Sequence, residues 1–586
     1  MLSDMVSRHR ELCMKQVRDF IKSFFTLTPF ASLNYTQFIG AMNDNIFKLL
    51  IVYCFIKVEG HRSASDILAR VGATYVIPFL LFSSAGGTLA DKYSKKKIIV
   101  ITRIAEICVM VLGIVAFWFE NKFLAFSALF LLASHSAIFG PCKYGIVPEI
   151  VPKEDISKAN GILSSFTYTA IIVGTFLASF LTDITNRHFV IACTITLCFS
   201  IFSLYTSSKI PYTPPAGSKK VVTAFFLSEI WRNFRLIRQE PSLLTAVFGS
   251  SFFLFVGSFA QLNMIPYAMN LLDLSDIQGG YMFLLTALGI GGGSILAGKC
   301  SGKAVELGLV PIGGLGMAIS CFLLDYYSHD LYIVMPLVAL LGLFGGLYLV
   351  PLDSYIQVTS PKTRRGQVVA TTNFLGFIGV LCSSALLYIL SEVLHVAPDK
   401  GFVIIGSLTL VMVLIISISI SGYVIRFSSL ILSRVFFPNS IEGKQNIPLD
   451  VPSFFLVCQP FWPWSTILLA SQRRRMRLFY VNGNTQTTHS FWGNLARYYF
   501  PIIEISSLDE IAPHGSHGEI ITHAISRDNS IGVFFAQNEL GPKEKEWFLA
   551  WKQALKYKKP SFFLVQHELP SEQHESLSGK IIPFAG

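Results

Sequence analysis

Charged side chains are scarce in this sequence, and their scarcity excludes most classes of soluble protein. Lys, Arg, Asp and Glu make up 14% of the 586 residues, whereas soluble globular proteins carry about 25%. Hydrophobic residues make up 52%, and the chain contains 50 Phe and 43 Gly. Aromatic side chains suit lipid-facing helix surfaces, and glycine suits close helix packing in a bilayer. The composition therefore predicts a polytopic membrane protein.

Several patterns that carry catalysis or bind cofactors are also missing. The sequence has no CxxC pair, no Cys and His cluster with zinc spacing, no G-x-S-x-G and no Walker loop. Many of its ten cysteines lie inside apolar runs, where they are expected to be small buried hydrophobic residues. These are Cys54, Cys108, Cys193, Cys198, Cys321 and Cys382. We therefore predict no disulfide framework, no metal, no cofactor and no ATP-driven reaction.

Positive charge exceeds negative charge, with 47 Lys and Arg against 36 Asp and Glu and a net charge of +11. Most positive residues lie in short connections between apolar stretches, which indicates orientation in a membrane rather than binding to nucleic acid. Residues 1–28 are basic with apolar residues between, and no small-residue cleavage site follows them. We therefore expect a basic amphipathic segment on the cytoplasmic face rather than a signal peptide.

Twelve apolar stretches are each long enough to cross about 30 Å of hydrocarbon. The twelve predicted spans are 29–56, 71–90, 98–118, 123–140, 159–182, 189–208, 243–270, 279–298, 307–327, 331–352, 367–391 and 401–425. The short connections after spans 2, 4, 6, 8 and 10 hold 19 Lys and Arg, counted over 91–103, 141–158, 209–240, 299–303 and 361–365, and the alternate connections hold 6. This bias places both ends of the bundle on the cytoplasmic side.

The spans divide the chain into five predicted parts. These are an amphipathic segment 1–28, a six-helix half 29–208, a cytoplasmic linker 209–242, a second six-helix half 243–426 and a cytosolic domain 427–586.

The connection between the second and third spans reads GGTLADKYSKKK over residues 86–97. Its glycine, aspartate and lysines resemble the G-x-L-A-D-[RK] loop of the major facilitator superfamily. Glycine lets two helices approach closely, and the carboxylate can pair with a cation or with a helix N-terminus across a moving interface. The corresponding place in the second half, residues 297–311, keeps glycine and lysine but has no aspartate. The predicted gating residues are Gly87, Asp91, Lys92, Lys96 and, in a second-half loop, Arg365.

Residues 140–163 read GPCKYGIVPEIVPKEDISKANGIL and set charges between two apolar segments, where they must lie in a loop or line a polar cavity. The order of their Pro, Lys, Tyr, Gly, Glu and Asn residues resembles that of the bacterial lysophospholipid transporters of the major facilitator superfamily. The resemblance implies an all-α membrane fold of two six-helix halves. It also implies a flippase that moves lysophosphatidylethanolamine-type lipids to the cytoplasmic leaflet of the inner membrane for reacylation.

A second segment, residues 350–377, repeats this arrangement in the second half. Gln357 and Asn373 take the places of Glu149 and Asn160, as expected of two repeats around a midplane site. Lys143 and Glu149 are expected at a loop edge. Two roles remain open for Lys143: recognition of a phosphate, or a cytoplasmic-side charge with no ligand.

The first span carries the polar residues Asn43, Asp44, Asn45 and Lys48 in the middle of an apolar run. A charge at bilayer depth costs about 2.5–3.5 kcal/mol, so it normally faces a cavity or a partner. Asp44 and Lys48 share a helix face and could neutralise each other. Alternatively, Asp44 lines a cavity and binds a coupling cation or a substrate ammonium, which the family resemblance of the N-D-N-x-F-K wording favours.

The complete set of predicted substrate- or cation-binding residues follows from these segments. It consists of Asp44, Asn45, Lys48, Lys143, Glu149, Asn160 and Asn373. Three further acidic residues near the predicted helix ends are expected to be interfacial or gating groups rather than substrate contacts. These are Asp325, Asp330 and Asp353.

Beyond about residue 427 the sequence becomes charged, and strand-like pieces alternate with helix-like ones, which predicts a cytosolic α/β domain. The order of the pieces resembles the glycerolipid acyltransferase domain that follows the transporter in some relatives. Pro460 and Ser465 stand in the places of that family's catalytic His and Asp, and Phe535–Asn538 stands in the place of its F-P-E-G block. Proline cannot accept a proton, so we expect no acyl transfer. His489, His514, His517 and His523 are expected to lie in solvated loops.

Two other functions remain open at this point. A drug or small-solute exporter would share the spans and the 86–97 loop, and a membrane-tethered acyltransferase would share the domain order. The implied partners are the lysophospholipid, membrane lipids and a separate acyltransferase or acyl-carrier-protein synthetase, with no nucleic acid.

Overall fold

The computed structural model describes residues 29–59, 64–218, 226–238, 240–274, 276–301 and 305–421, and beyond them seven strands, one helix and a few isolated residues. The chain divides into two compact units, Met1–Ser419 and Ile420–Gly586. The predicted amphipathic segment 1–28 lies outside the described residues.

The first unit is built from long apolar helices. The helices of its first half are α1 (Pro29–Glu59), α2 (Ala64–Lys92), α3 (Lys95–Trp118), α4 (Lys122–Ile150), α5 (Ile156–Ile184) and α6 (Phe189–Ser208). A short helix, α7 (Phe226–Ile237), lies in the predicted linker. The helices of the second half are α8 (Pro241–Leu271), α9 (Asp276–Cys300), α10 (Leu309–Tyr326), α11 (Leu331–Thr359), α12 (Arg365–Tyr388) and α13 (Pro398–Ser419).

Each predicted span falls on one of these helices. Among the described residues, eleven helices are long and apolar enough to cross a membrane. A shorter apolar helix, Leu284–Cys300 within α9, lies at the eighth predicted span. Since successive spans alternate in direction, the connections that follow α2, α4, α9 and α11 lie at one end of the bundle. We call it the basic end, because the sequence concentrates Lys and Arg there.

Local sequence sets where several helices begin. The Asn121 side chain accepts a hydrogen bond from the Leu124 N–H at 3.0 Å at the start of α4. The Asp330 carboxylate accepts one from the Tyr332 N–H at 3.0 Å at the start of α11. Proline opens α8, where its missing N–H costs no intrahelical bond.

Two helices continue beyond their predicted ends. α4 runs to Ile150 through Pro141 and Pro148, and α11 runs to Thr359 through Pro351. Residues after these prolines are buried against neighbouring helices, which can offset the hydrogen bonds that proline removes. The prediction that Lys143 lies at a loop edge is therefore wrong. Asp353, predicted near a helix end, also lies inside α11.

Glycine permits the closest helix contact, between α9 and α11. Gly289 and Gly293 on α9 meet the backbone of α11, while Gly342 and Gly346 on α11 meet the backbone of α9. Both pairs are spaced four residues apart, the small-xxx-small pattern of membrane helices. Because lipid is as apolar as a side chain, van der Waals contact between the two backbones must hold this pair together.

The second unit contains a seven-stranded sheet in the order β1-β7-β6-β2-β5-β3-β4. Its strands are β1 (Ile441–Glu442), β2 (Ser453–Cys458), β3 (Met476–Val481), β4 (Ile502–Ile505), β5 (Ser530–Phe535), β6 (Ser561–Glu568) and β7 (Ser578–Pro583). All neighbours are parallel except β6 and β7.

The centre of this sheet is apolar. Phe455 on β2 and Ile531 and Val533 on β5 are buried, as expected of parallel strands covered on both faces. Helix α14 (Pro542–Ala554) separates β5 from β6 along the chain and buries Trp551. Pro460, Ser465, the residues after Phe535 in the F-P-E-G place and the four tail histidines lie outside the described residues, so the acyltransferase likeness stays a prediction.

The α9 and α11 contact yields a matched test with adjacent glycines. A Cβ at Gly293 would overlap the Leu343 carbonyl oxygen, whereas a Cβ at Gly292 would have nothing within 4 Å. We expect Gly293→Ala to destabilise the protein by roughly 1–3 kcal/mol, the usual cost of overpacking, and Gly292→Ala to have little effect. Thermal unfolding of the purified full chain in detergent checks this. Equal unfolding temperatures for the two variants would contradict the close backbone contact.

Candidate functional site

A group of polar side chains lies between the two halves of the bundle. The Lys143 Nζ on α4 donates a hydrogen bond to the Gln37 Oε1 on α1 at 3.1 Å, and the Thr167 hydroxyl on α5 donates to the same oxygen at 2.9 Å. The Gln37 Nε2 donates to the Leu163 carbonyl at 2.8 Å. Gln37 is thereby fixed on both sides, and it holds the half-buried Lys143 ammonium in place.

The second half contributes a carboxylate to the same region. The Ser250 hydroxyl on α8 donates to the Asp353 Oδ1 on α11 at 2.8 Å. Asp353 interacts electrostatically with Lys143, Tyr144 and Tyr168, all of which belong to the first half. All four of these side chains are half-buried. A cation from one half and a carboxylate from the other therefore lie close enough to interact electrostatically.

Asn160 joins the halves directly rather than standing free in a cavity. Its Nδ2 donates to the Ser354 hydroxyl at 3.0 Å, and its Oδ1 accepts from the Gln357 Nε2 at 3.0 Å. All three side chains are buried. The other predicted asparagine, Asn373, lies on α12 where its amide faces Gly140 of α4. Both residues therefore lie at contacts between the halves, in the corresponding places that the internal repeat predicts.

Asp91 caps a helix of the opposite half. Its Oδ1 accepts the Gly366 N–H at 2.7 Å, and its Oδ2 accepts the Gln367 N–H at 3.0 Å. These N–H groups belong to the first turn of α12, which has no intrahelical partner for them and carries the positive end of the helix dipole. Gly87 lies one turn earlier, where a Cβ would approach the Gly366 carbonyl oxygen to 2.6 Å. Only glycine permits this approach of α2 to α12.

Further charges surround this cap at the basic end. Lys95 pairs with Glu149 at 2.5 Å, and Arg365 interacts electrostatically with both Glu149 and Asp91. Arg365 is the first residue of α12 and is buried, so its predicted place in a loop is wrong. Glu149, predicted to bind substrate, is the partner of Lys95 in this structure. The contact that joins the halves here thus involves both a helix dipole and several charges.

The remaining predicted gating lysines show no contact with the second half in the described part of the chain. The Lys92 ammonium lies 5.6 Å from the ring centroid of the adjacent Tyr93, and Lys96 is half-buried. Lys95, which the sequence grouped with them, is the buried lysine of the loop.

A second contact joins the halves at the basic end between α5 and α9. A Cβ at Gly161 would overlap the Ser294 carbonyl oxygen, and a Cβ at Gly298 would lie 3.0 Å from the Cα of Lys158. Gly298 belongs to the second-half segment 297–311, which has no aspartate in the place that Asp91 takes in the first half. Backbone proximity rather than charge therefore joins α5 to α9.

The polar residues of α1 do not form the Asp44–Lys48 pair considered from sequence. The Asp44 Oδ2 accepts from the Ser136 hydroxyl at 2.8 Å, whereas Lys48 donates to the Asn45 Oδ1 at 3.3 Å. The Lys48 ammonium also lies 5.4 Å from the centroid of the Tyr75 ring. Asp44 is 7% exposed, and its Oδ1 has no hydrogen-bond partner within the described residues.

Two buried charges beside Asp44 were missed from sequence. Arg103 and Glu106 on α3 form an ion pair at 2.5 Å. Both side chains are buried, with exposed fractions of 1% and 0%. The Asn43 Nδ2 donates to Glu106 at 3.1 Å, and the Ser200 hydroxyl donates at 3.2 Å. Arg103 was counted among the basic residues of a connection, but two charges three residues apart inside one apolar span would have indicated a buried pair.

The structure also contains a cavity of about 540 Å³ between α2 and α4 of the first half. Two cations, Arg70 and Lys122, line it together with the aromatic residues Phe123 and Phe126. It lies away from the Lys143 and Asp353 region. Among the described residues, no group of three or more His, Cys, Asp or Glu side chains could hold a metal ion.

Sequence comparison identifies relatives of known activity. The chain is 25% identical over 348 residues to proteins named lysophospholipid transporter LplT from Citrobacter koseri and from Escherichia coli. Each alignment covers 58% of this chain and 82% of the relative.

Solved structures share the fold at lower identity. The human organic anion transporter MFSD10 aligns with a TM-score of 0.56 at 14% identity, covering 66% of this chain and 99% of that structure. A bacterial homologue of the iron transporter ferroportin, in an outward-facing state, aligns with a TM-score of 0.51 at 13% identity, covering 67% of this chain and 99% of that structure.

The sequence matches the family described as Major Facilitator Superfamily over residues 33–384 and again over 247–429. The first match alone covers more than half of the chain, and the helix pattern and the solved structures agree with it. This multi-pass membrane protein therefore belongs to the major facilitator superfamily of transporters.

Proposed function

We propose that the protein is a lysophospholipid transporter that moves lysophosphatidylethanolamine-type lipids across the bacterial inner membrane to the cytoplasmic leaflet. The observation that carries the proposal is the Lys143 ammonium, held by Gln37 between the two halves. An ammonium is a point charge suited to a phosphate. Within the described residues this ammonium donates one hydrogen bond and lies 4.5 Å from the centroid of the Tyr144 ring, so its remaining donor capacity can serve a headgroup.

An acyl chain needs an apolar wall beside that headgroup, and aromatic side chains can supply it. Phe38 follows Gln37 and Phe166 precedes Thr167, and their ring centroids lie 5.9 Å apart. Phe79 and Phe377, from opposite halves, stack with their ring centroids 4.3 Å apart. A site with a cation at one side and half-buried aromatic rings at the other suits an amphipathic lipid better than a fully polar solute.

The relatives named lysophospholipid transporters support the same substrate class. The excess of Lys and Arg at the basic end supports a cytoplasmic location for that end and for both ends of the bundle. Transport would follow alternating access, in which the two halves rock around a site near the midplane. The cytoplasmic product is a lysolipid, so we propose a separate acyltransferase or acyl-carrier-protein synthetase as the partner that consumes it.

Asp44 is proposed as the site of the coupling cation. Its Oδ1 has no hydrogen-bond partner within the described residues, although the side chain is buried. An unpaired charged oxygen in this position costs free energy unless a proton or a metal cation neutralises it. His135, whose two ring nitrogens also have no partner there, lies on the same helix as Ser136 and offers a second polar group nearby.

The basic-end contacts are proposed as the gate. Asp91 bonds the first turn of α12, and Asn160 bonds Ser354 and Gln357. These bonds join the halves only while this end is closed. The tail is proposed to be an acyltransferase-like domain without acyl transfer, on the strength of its order of strands and of Pro460 and Ser465 in the catalytic places. It would then present a docking or lipid-handling surface.

The first prediction concerns the substrate class. Proteoliposomes containing the full chain should take up radiolabelled lysophosphatidylethanolamine in the presence of a sodium or proton gradient. Without the gradient the flux should fall. Efflux of cationic dyes without lysolipid uptake would favour a drug exporter of the same superfamily. Diacyl product formed by the full chain from lysolipid and acyl donor would favour the acyltransferase.

The second prediction concerns Asp44. Asp44→Asn keeps the shape of the side chain and the bond to Ser136 but removes the charge, so insertion should be undisturbed and uptake should fall to background. Asp183→Asn, on an exposed residue of α5, serves as the matched control and should transport normally. Uptake near the wild-type rate by a normally expressed Asp44→Asn protein would mean that the carboxylate has only a structural role.

The third prediction concerns the gate. Asp91→Ala should slow maximal transport about tenfold with a smaller change in apparent affinity, because it removes contacts made in one conformer only. Asp330→Ala is the matched control, since Asp330 caps α11 within its own half. It should leave the transport rate unchanged. A loss of affinity at an unchanged maximal rate in Asp91→Ala would contradict the gating role.

A further inference from the structure

Asp353 is the second-half counterpart of Lys143, and nothing in its sequence position indicated a ligand. The structure places it inside α11, half-buried, next to Ser354, whose hydroxyl accepts a hydrogen bond from the first-half residue Asn160 at 3.0 Å. Asp353 also interacts electrostatically with Lys143 of the first half. Its Oδ1 accepts a hydrogen bond from Ser250, and no further hydrogen bond to the carboxylate is made by the described residues. The Oδ2 is therefore left for a ligand, while Ser250 fixes the orientation of the group.

A carboxylate at this place affects which headgroups can bind. Lys143 attracts a phosphate, but an anion bound there also lies within the field of Asp353. A headgroup that carries only negative charge leaves Asp353 unpaired and repels it. A headgroup with an ammonium next to the phosphate satisfies both charges, one from each half. Desolvated charges of this kind discriminate strongly, because a wrong partner leaves one of them uncompensated.

We propose that Asp353 binds the ammonium of a zwitterionic lysophospholipid and so sets the headgroup specificity of the transporter. This inference rests on the proposed function and extends it to a named subsite in the second half. Phosphate contacts Lys143 of the first half, and the ammonium contacts Asp353 of the second half. The bound headgroup thus bridges the two halves, and its acyl chain lies along the aromatic residues.

Lys143 and Asp353 could instead serve only as an ion pair that holds the halves together in another conformer. Such a pair would affect all substrates equally, since it would act on the conformational equilibrium and not on the headgroup. Headgroup preference therefore separates the two roles, whereas total activity does not.

The test compares two lysolipids with the same acyl chain, lysophosphatidylethanolamine and lysophosphatidylglycerol, in proteoliposomes of the full chain. We expect the wild type to prefer the zwitterion. Asp353→Asn should lower uptake of lysophosphatidylethanolamine about tenfold or more, as expected for loss of one charge-assisted hydrogen bond. It should not lower uptake of lysophosphatidylglycerol, so the preference disappears. Lys143→Gln should lower uptake of both lipids.

Three further variants guard against misfolding and nonspecific effects. Asp353→Glu keeps the charge and should keep the preference. Ser250→Ala removes the bond that orients Asp353 and should weaken the preference in part. Asp325→Asn removes a carboxylate that pairs with Lys400 at 2.8 Å elsewhere in the second half, and it should change neither rate.

The ratio of the two rates reports on Asp353, and wild-type lysolipid uptake reports on the proposed function. Equal loss of both lipids in Asp353→Asn, or a preference unchanged by it, would overturn the role of Asp353 while leaving lysolipid transport intact. A wild type that moves neither lipid would overturn both proposals. A wild type that moves both lipids equally would overturn the specificity alone.

Discussion

A charge inside the hydrocarbon region must have a partner, and this requirement determines how the polar residues of the bundle are arranged. Arg103 is neutralised by Glu106, and Lys95 is neutralised by Glu149. The first pair is made by residues three apart on α3, and the second by helix packing that brings Lys95 of α3 to Glu149 of α4. The cost of breaking such a pair is high, because it leaves a buried charge uncompensated. These two pairs therefore stabilise the first half as a unit.

Two of the hydrogen-bonded contacts that join the halves are of another kind. Asp91 contacts backbone N–H groups, and Asn160 contacts neutral side chains. Groups of this type can exchange their partners for water when the halves separate. Opening therefore does not leave an unpaired charge in the hydrocarbon region. Strong pairs within the first half and exchangeable contacts between the halves are what a rocking movement requires.

Much of this arrangement could be predicted from sequence. Apolar length located the membrane helices, since eleven of the twelve predicted spans are long and apolar enough in the structure. The G-x-L-A-D pattern predicted that its carboxylate pairs with a cation or with a helix N-terminus, and in the structure Asp91 accepts hydrogen bonds from N–H groups in the first turn of α12. Parallel sequence patterns in the two halves related Asn160 to Asn373, and in the structure both residues lie at contacts between the halves.

Other features depend on tertiary packing and could not be read from one segment. Pro141 and Pro351 suggested helix ends, but contacts from neighbouring helices keep α4 and α11 continuous. Lys143 was consequently placed at a loop edge, and Asp353 near a helix end. Spacing along one helix left Lys48 open as a partner for Asp44, whereas Ser136 on another helix makes the hydrogen bond.

The two contacts that join the halves at the basic end, α2 with α12 and α5 with α9, differ in a way that affects how they open. α2 meets α12 through the Asp91 carboxylate, whereas α5 meets α9 through glycine and backbone atoms. When the α2–α12 contact opens, a charged group and a helix dipole become hydrated. Dissolved salt then screens their electric fields, with a Debye length of about 10 Å at 0.1 M. The glycine contact between α5 and α9 exposes no such charge when it opens. Ionic strength is therefore expected to change how easily the α2–α12 contact opens and to leave the α5–α9 contact unaffected.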